Sequence, residues 1–191
     1  MKKALLLVTL LFAFTTHASA DNAELAQMAE EDQASRLGQE VKRSDDERRA
    51  RVVELIAAGS VASPKDKLHA ALVLQHTGLT FCNGKLASLG PENYLLAHHL
   101  AKAALAGGVE DARMLVAQTI DRYLTFTQGY QRYGTNRLID QETGEQYLVP
   151  IDRETSDEER ATYGVPPLKT LLSQFPERGE PSSTKPTAGG G

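Results

Sequence analysis

Tryptophan is missing from this sequence and cysteine occurs once, at Cys82, so no disulfide can close within the chain and a disulfide-stapled scaffold is excluded. Aromatic residues are scarce, at 6% of 191 positions. Basic charge is in deficit as well: 21 Lys and Arg stand against 25 Asp and Glu, for a formal net charge of −4. With a sequence pI near 5.8, that balance excludes a general nucleic-acid binder, which needs a basic surface to neutralise phosphates. A helical zinc motif of the H-E-x-x-H type is absent, and Gly129 and Gly134 lack the following Lys of a phosphate-binding loop. What is present, 41% hydrophobic and 24% charged residues, fits one globular domain.

One long apolar run does occur, at the front. Lys2 and Lys3 precede an apolar stretch from Ala4 to Phe14, and Ala18-Ser19-Ala20 follows with the small residues a signal peptidase accepts. The run is well short of the ~20 residues a membrane-spanning helix needs. The segment predicts a signal peptide over residues 1–20, cut after Ala20, and a periplasmic or secreted chain with no membrane segment once it is removed. Both signal lysines leave and no acid does, so the mature charge becomes −6. Cys82 is then a lone thiol outside the cytosol, read here as part of a loop after a helix.

Start and stop signals divide the rest. Residues 21–43 read as a polar N-terminal helix, a leader or peripheral element. Ser44-Asp45-Asp46-Glu47 is a capping box opening a helix to about Ala58, and Ser63-Pro64-Lys65-Asp66 opens another to about Thr77. Gly90-Pro91-Glu92 starts a helix to about Ala106, and Val109-Glu110-Asp111 starts one to about Phe126. Ala97, Ala101, Ala104, Ala112 and Ala117 lie on the faces that should pack, where small side chains let helix axes approach. A single helical domain over residues 44–176 follows. It is mainly α, an array or bundle of antiparallel helix hairpins of the tetratricopeptide or Sel1-like kind, with a non-repetitive orthogonal bundle as the alternative. Asn136 to Asp140 and Glu145 to Val149 predict a small C-terminal β-hairpin within about 136–150. Ser156 and Pro166-Pro167 open two short helices, and residues 177–191, rich in Pro, Ser, Thr and Gly, predict a disordered tail.

The candidates for chemistry are few. His69 and His76 are seven apart, which on a helix places them on one side but about 10.5 Å apart along the axis, too far for one metal. No cysteine-histidine cluster exists, so no metal and no cofactor are expected. His98 shares a side of its helix with Tyr94, Ala101 and Leu105, whereas His99 faces elsewhere. Asp121 falls in a stripe with Met114, Ala117 and Thr125, where an apolar group is expected; a buried acid there would need an arginine or histidine partner. The segment from Gln128 to Asn136 concentrates Tyr130, Gln131, Arg132, Tyr133 and Thr135 in a loop punctuated by Gly129 and Gly134, suited to a pocket mouth or equally to a well-packed connection between the helices and the hairpin.

Four strings in order, Ala70-Ala71-Leu72-Val73-Leu74-Gln75-His76, Ala97-His98-His99-Leu100-Ala101, Asp121-Arg122-Tyr123-Leu124 and Gln131-Arg132-Tyr133-Gly134-Thr135-Asn136, carry a resemblance. The chain resembles an uncharacterised bacterial family with the patterns A-A-x-x-x-Q-H-G, A-H-x-L-A, D-R-x-L and Q-x-[YF]-G-T-Q, over roughly residues 44–172. Here Thr77 interrupts the Gln-His-Gly step and Asn136 replaces the last Gln. That family has no activity to transfer. The resemblance implies that His76, His98, Asp121, Arg122, Gln131 and Thr135 converge, with His76, His98 and Asp121 as candidate catalytic groups and Arg122, Gln131, Tyr133 and Thr135 as candidate ligand contacts.

Two functional readings follow. The favoured one is an exported helical binding or interaction protein that recognises another protein or an envelope component, since no complete catalytic motif is present. The alternative is a periplasmic hydrolase or other acid/base enzyme in which His76 or His98 works with Asp121, and Arg122 and Gln131 clamp the substrate. With no serine or cysteine nucleophile among these residues, such an enzyme would activate water.

Overall fold

The computed structural model describes residues 20–82, 85–140 and 142–179, so residues 1–19 of the expected signal and residues 180–191 of the expected tail lie outside the described residues. The first half runs α1 (Ala23–Arg36), α2 (Asp45–Ala57), α3 (Pro64–Leu74), β1 (Leu79–Cys82), β2 (Lys85–Ser88) and α4 (Pro91–Ala106). The second runs α5 (Ala112–Gln128), β3 (Arg137–Ile139), β4 (Gln146–Leu148), α6 (Asp157–Thr162) and α7 (Leu168–Gln174). The fold is mainly helical, and each β-pair is a two-stranded antiparallel hairpin.

Helix starts follow the capping chemistry of the sequence. Ser44 and Glu47 form the capping box of α2, and Ser63 and Asp66 that of α3, with Pro64 in the first turn. Asp66 does a second job. Its Oδ2 accepts from the Ser63 amide at 2.9 Å, while its Oδ1 accepts from the Asn22 amide at 2.7 Å, and Asn22 is itself the N-cap of α1. Burial raises the Asp66 pKa, but these amide bonds outweigh it and hold the carboxyl below its usual range. The expected cleavage after Ala20 falls before Asn22, so it would leave this joint intact.

The element expected to be peripheral is part of the core. Leu25 and Met28 of α1 are fully buried, spaced three apart on the face that meets α3. They join a cluster that includes Val52, Leu74 and the alanines 70, 71, 97, 101, 104 and 112. All five alanines expected on packing faces are inaccessible to solvent. Gly107, just past the end of α4, is so close to Pro64 at the start of α3 that an added Cβ would lie 2.5 Å from the proline Cγ. At the other end of the pair, Asn93 of α4 donates to Thr77 just past α3, so the two helices run antiparallel. Tyr94 and Phe126 stack at 5.8 Å, which sets α5 antiparallel to α4 in the same way.

A second cluster, with Ala117, Tyr133, Leu148, Ile151, Val165 and Leu171, attaches the C-terminal third to α5. Its hairpin forms where expected, with Arg137 opposite Leu148 and Ile139 opposite Gln146. The first hairpin is a correction. Cys82 does not sit in an irregular loop; it ends β1, paired with Lys85, and is exposed. Thr80 and Phe81 are strand formers, and Phe81 lies opposite Leu86 in the pair. The start of the expected tail also needs correction. The Leu148 carbonyl accepts from the Arg178 amide at 2.9 Å, and Glu177 Oε1 accepts from the Ile151 amide at 2.7 Å.

Asp140, at the turn of the second hairpin, collects the amides of Glu142 and Thr143, each at 2.9 Å, and the Arg178 guanidinium. The Thr143 and Glu142 amides, then Arg178, lower its pKa to about 2. A depressed carboxyl contributes stability that is present above its unfolded pKa of about 3.9 and is lost as pH falls through about 2. An NMR titration is expected to place the Asp140 midpoint near 2, with Arg178→Gln raising it only in part because both amides remain. A wild-type midpoint close to 4 would show that the turn does not hold the carboxylate.

Candidate functional site

Asp121 is fully buried, on the inner face of α5, and its partner is neither an arginine nor a histidine. Oδ1 accepts from the amides of Arg132 at 2.8 Å and Tyr133 at 2.9 Å. Oδ2 accepts from the amides of Gly134 at 2.9 Å and Thr135 at 2.8 Å, and from the Thr135 hydroxyl at 2.7 Å. Burial raises the Asp121 pKa, and these five donors pull against it by favouring the carboxylate. Both oxygens are thereby committed, and Asp121 has no lone pair to spare for a histidine.

The carbonyls of the same loop are met from the opposite side. Arg160 of α6, 1% exposed, donates through Nε to the Tyr133 carbonyl at 3.1 Å and through Nη2 to the Arg132 carbonyl at 3.4 Å. It also reaches the carbonyls of Thr155 at 2.5 Å and Asp152 at 3.0 Å. Gln131 closes the loop base: its Nε2 donates to the carbonyls of Asn136 and Val149, and its Oε1 accepts from the Asn136 amide at 2.8 Å. Tyr133 points into the second core, where its hydroxyl donates to Glu159 at 3.0 Å and burial pushes its pKa up. Gly134 has φ +95°, and an added Cβ would lie 2.7 Å from Leu171 Cδ1 and 3.0 Å from Ile151 Cδ1.

The expected convergence therefore divides. Asp121, Gln131, Tyr133 and Thr135 assemble as a scaffold that fixes one loop. Arg122, the next residue on α5, turns to a different group: its Nη1 donates to Gln75 Oε1 at 2.5 Å. His76, beside Gln75 and beyond the end of α3, meets Asp32 of α1, with Nδ1 2.6 Å from Oδ2. Asp32 is 1% exposed, whereas the His76 side chain is 18% exposed. His98 belongs to neither group. Its Nδ1 donates to the Val116 carbonyl at 3.0 Å and burial lowers its pKa, so this half-buried histidine is tied through Nδ1 to the α5 backbone. His69 is partly buried with Nδ1 unpartnered, and among the described residues no three His, Cys, Asp or Glu side chains could hold a metal ion.

Beside the fixed loop is an open cavity of about 230 Å³ between α5, α7 and the start of β3. Met114, Val165 and Leu171 give it apolar walls, and Thr135 and Arg137 contribute polar groups. Arg137 lies over the Phe175 ring, its guanidinium carbon 4.9 Å from the centroid. Of the twelve arginines in the sequence, ten have a carboxylate within 4.0 Å; among the described residues Arg122 and Arg137 have none. Sequence reasoning missed Asp32, Arg160 and Arg137. Asp32 and Arg160 lie in the charged runs Glu30-Glu31-Asp32 and Asp157-Glu158-Glu159-Arg160, which resemble solvated faces.

Gly134→Ala combines a positive φ with a clash against two core side chains, so it is expected to lower unfolding stability by about 2 kcal/mol or more. Gly144→Ala, also at positive φ but with nothing within 4 Å, supplies the control and should cost only about 1 kcal/mol. Equal losses in denaturant titrations of the two variants would contradict the close packing around Gly134. No family model, curated protein or solved structure matches this chain.

Proposed function

We propose that this chain is an exported binding protein that recognises a partner protein or envelope component through the cavity beside the loop of residues 131–136. The observation that carries the reading is Arg137, a charged side chain at a cavity with apolar walls that has no carboxylate within 4.0 Å among the described residues. At about 230 Å³ the cavity is below the usual range of drug-sized sites and suits a single apolar side chain. The ligand chemistry is accordingly one apolar side chain next to a carboxylate, as at the C-terminus of a protein or in an apolar-acidic pair within it. Arg137 would supply a charge-assisted hydrogen bond, and the apolar walls the burial.

The scaffold offered for this role is a set of helix hairpins, supported by the antiparallel pairs α3–α4 and α4–α5 and their alanine contacts. A stacked array needs about three repeats. The loop's hold on both Asp121 oxygens favours this reading over the acid/base one that paired His76 or His98 with Asp121.

N-acetyl-leucine and N-acetyl-leucinamide separate the two parts of the proposal. The acid is expected to shift the NMR signals of Thr135 and Leu171 saturably at millimolar concentration, the amide to bind about tenfold more weakly, and Arg137→Gln to remove that difference. Equal binding of acid and amide by the wild type, or no saturable shift with either, would refute the assignment.

A further inference from the structure

Arg122 is the second arginine with no carboxylate partner among the described residues, and its setting differs from that of Arg137. It is partly buried, where an unpaired cation is costly, and the one hydrogen bond seen for its guanidinium goes to the neutral Gln75. A guanidinium has five donors. The acids whose charge it feels are Asp121 and Asp32. Neither answers it: Asp121 is filled by the loop amides, and Asp32 is engaged by His76 and by Gln33 at 3.0 Å. Burial lowers the Arg122 pKa, yet an arginine keeps its proton at any ordinary pH.

The surroundings are polar and come from four other elements. Gln75 and His76 follow α3, Asp32 lies on α1, Arg49 of α2 donates to the His76 carbonyl at 2.7 Å, and Tyr94 of α4 faces Arg122. Asp32 engages Nδ1 of His76, which orients the ring and leaves Nε2 as its remaining polar atom. This is a cationic side chain with donors that no group among the described residues is seen to use, beside an oriented imidazole and an amide.

We propose that Arg122, together with Gln75 and His76, forms a binding site for a small oxyanion, a carboxylate or phosphate-type group of a ligand. Arg122 supplies the planar fork that fits two oxygens of such a group, and Gln75 Oε1 fixes that fork from one side. The Asp32 contact holds the His76 ring in place for a second contact through Nε2. The site is separate from the Arg137 cavity, so neither proposal depends on the other.

The decisive variant is Gln75→Glu. A carboxylate at this position would pair with Arg122 from within the chain and compete with any outside anion, while leaving the fold at least as stable. Sulfate and acetate are titrated against the full mature chain at constant ionic strength, with the His76 ring signals followed by NMR and melting temperature recorded in parallel. The wild type is expected to show a saturable His76 shift with at least one of the two anions; the preferred one identifies the ligand group as phosphate-like or carboxylate. Gln75→Glu is expected to weaken that binding at least tenfold without a lower melting temperature. Arg122→Lys, which keeps the charge but loses the fork, is expected to weaken it as well, and it decides the matter alone if Gln75→Glu does not fold. Arg137→Gln should leave it unchanged. No saturable shift in the wild type, or wild-type affinity in Gln75→Glu or, where that variant does not fold, in Arg122→Lys, would overturn the proposal.

Discussion

A four-residue stretch of backbone, Arg132 to Thr135, is gripped by a buried acid on one side and a buried arginine on the other. Asp121 takes its four amides and Arg160 the carbonyls of Arg132 and Tyr133, and the arginine's own carboxylate contact is Asp157 at 3.3 Å. Burying either charge alone would cost several kcal/mol. Here each is solvated by peptide groups that would otherwise need partners themselves, so one set of bonds satisfies a charge and a loop together. This grip holds the C-terminal third against α5, and it sets Thr135 and Gly134 at the wall of the cavity.

The remaining charges divide according to their partners. Ten of twelve arginines pair with carboxylates, several of them exposed pairs that contribute little to stability. Arg122 and Arg137 depart from that pattern, one inside the polar group at the end of α3 and the other over an aromatic ring at the cavity. An arginine with no carboxylate partner among the described residues has a guanidinium available to an external anion. That reasoning, rather than any catalytic constellation, directs attention to binding.

The helix boundaries were legible because capping chemistry is local: Ser44, Ser63 and Ser156 each accept the amide three residues on. Alanine seams and the β3–β4 hairpin were legible for the same reason. The role of α1 was hidden by its polar composition, in which Leu25, Met28 and Asp32 form the inward stripe but the acid disguises it. The β1–β2 pair was hidden because strands of four residues, Leu79–Cys82 and Lys85–Ser88, are too short to show a period beside the helix stop at Gly78. The candidate site was legible as residue types and not as contacts. Asp32 reaches His76 across 44 positions and Arg122 reaches Gln75 across 47, separations that no periodicity encodes. The stripe on α5 correctly marked Asp121 as a buried acid in need of a partner; the partner proved to be peptide amides, which leave no trace in a sequence.

Native-state hydrogen exchange at the amides of Arg132, Tyr133, Gly134 and Thr135 tests the grip most directly. If all four are bound to a buried carboxylate, they exchange only when the whole domain unfolds, with opening free energies equal to its global stability. Exchange of these four amides orders of magnitude faster than that of the α4 and α5 core would contradict the account, because it would mean the loop opens freely and Asp121 does not hold it.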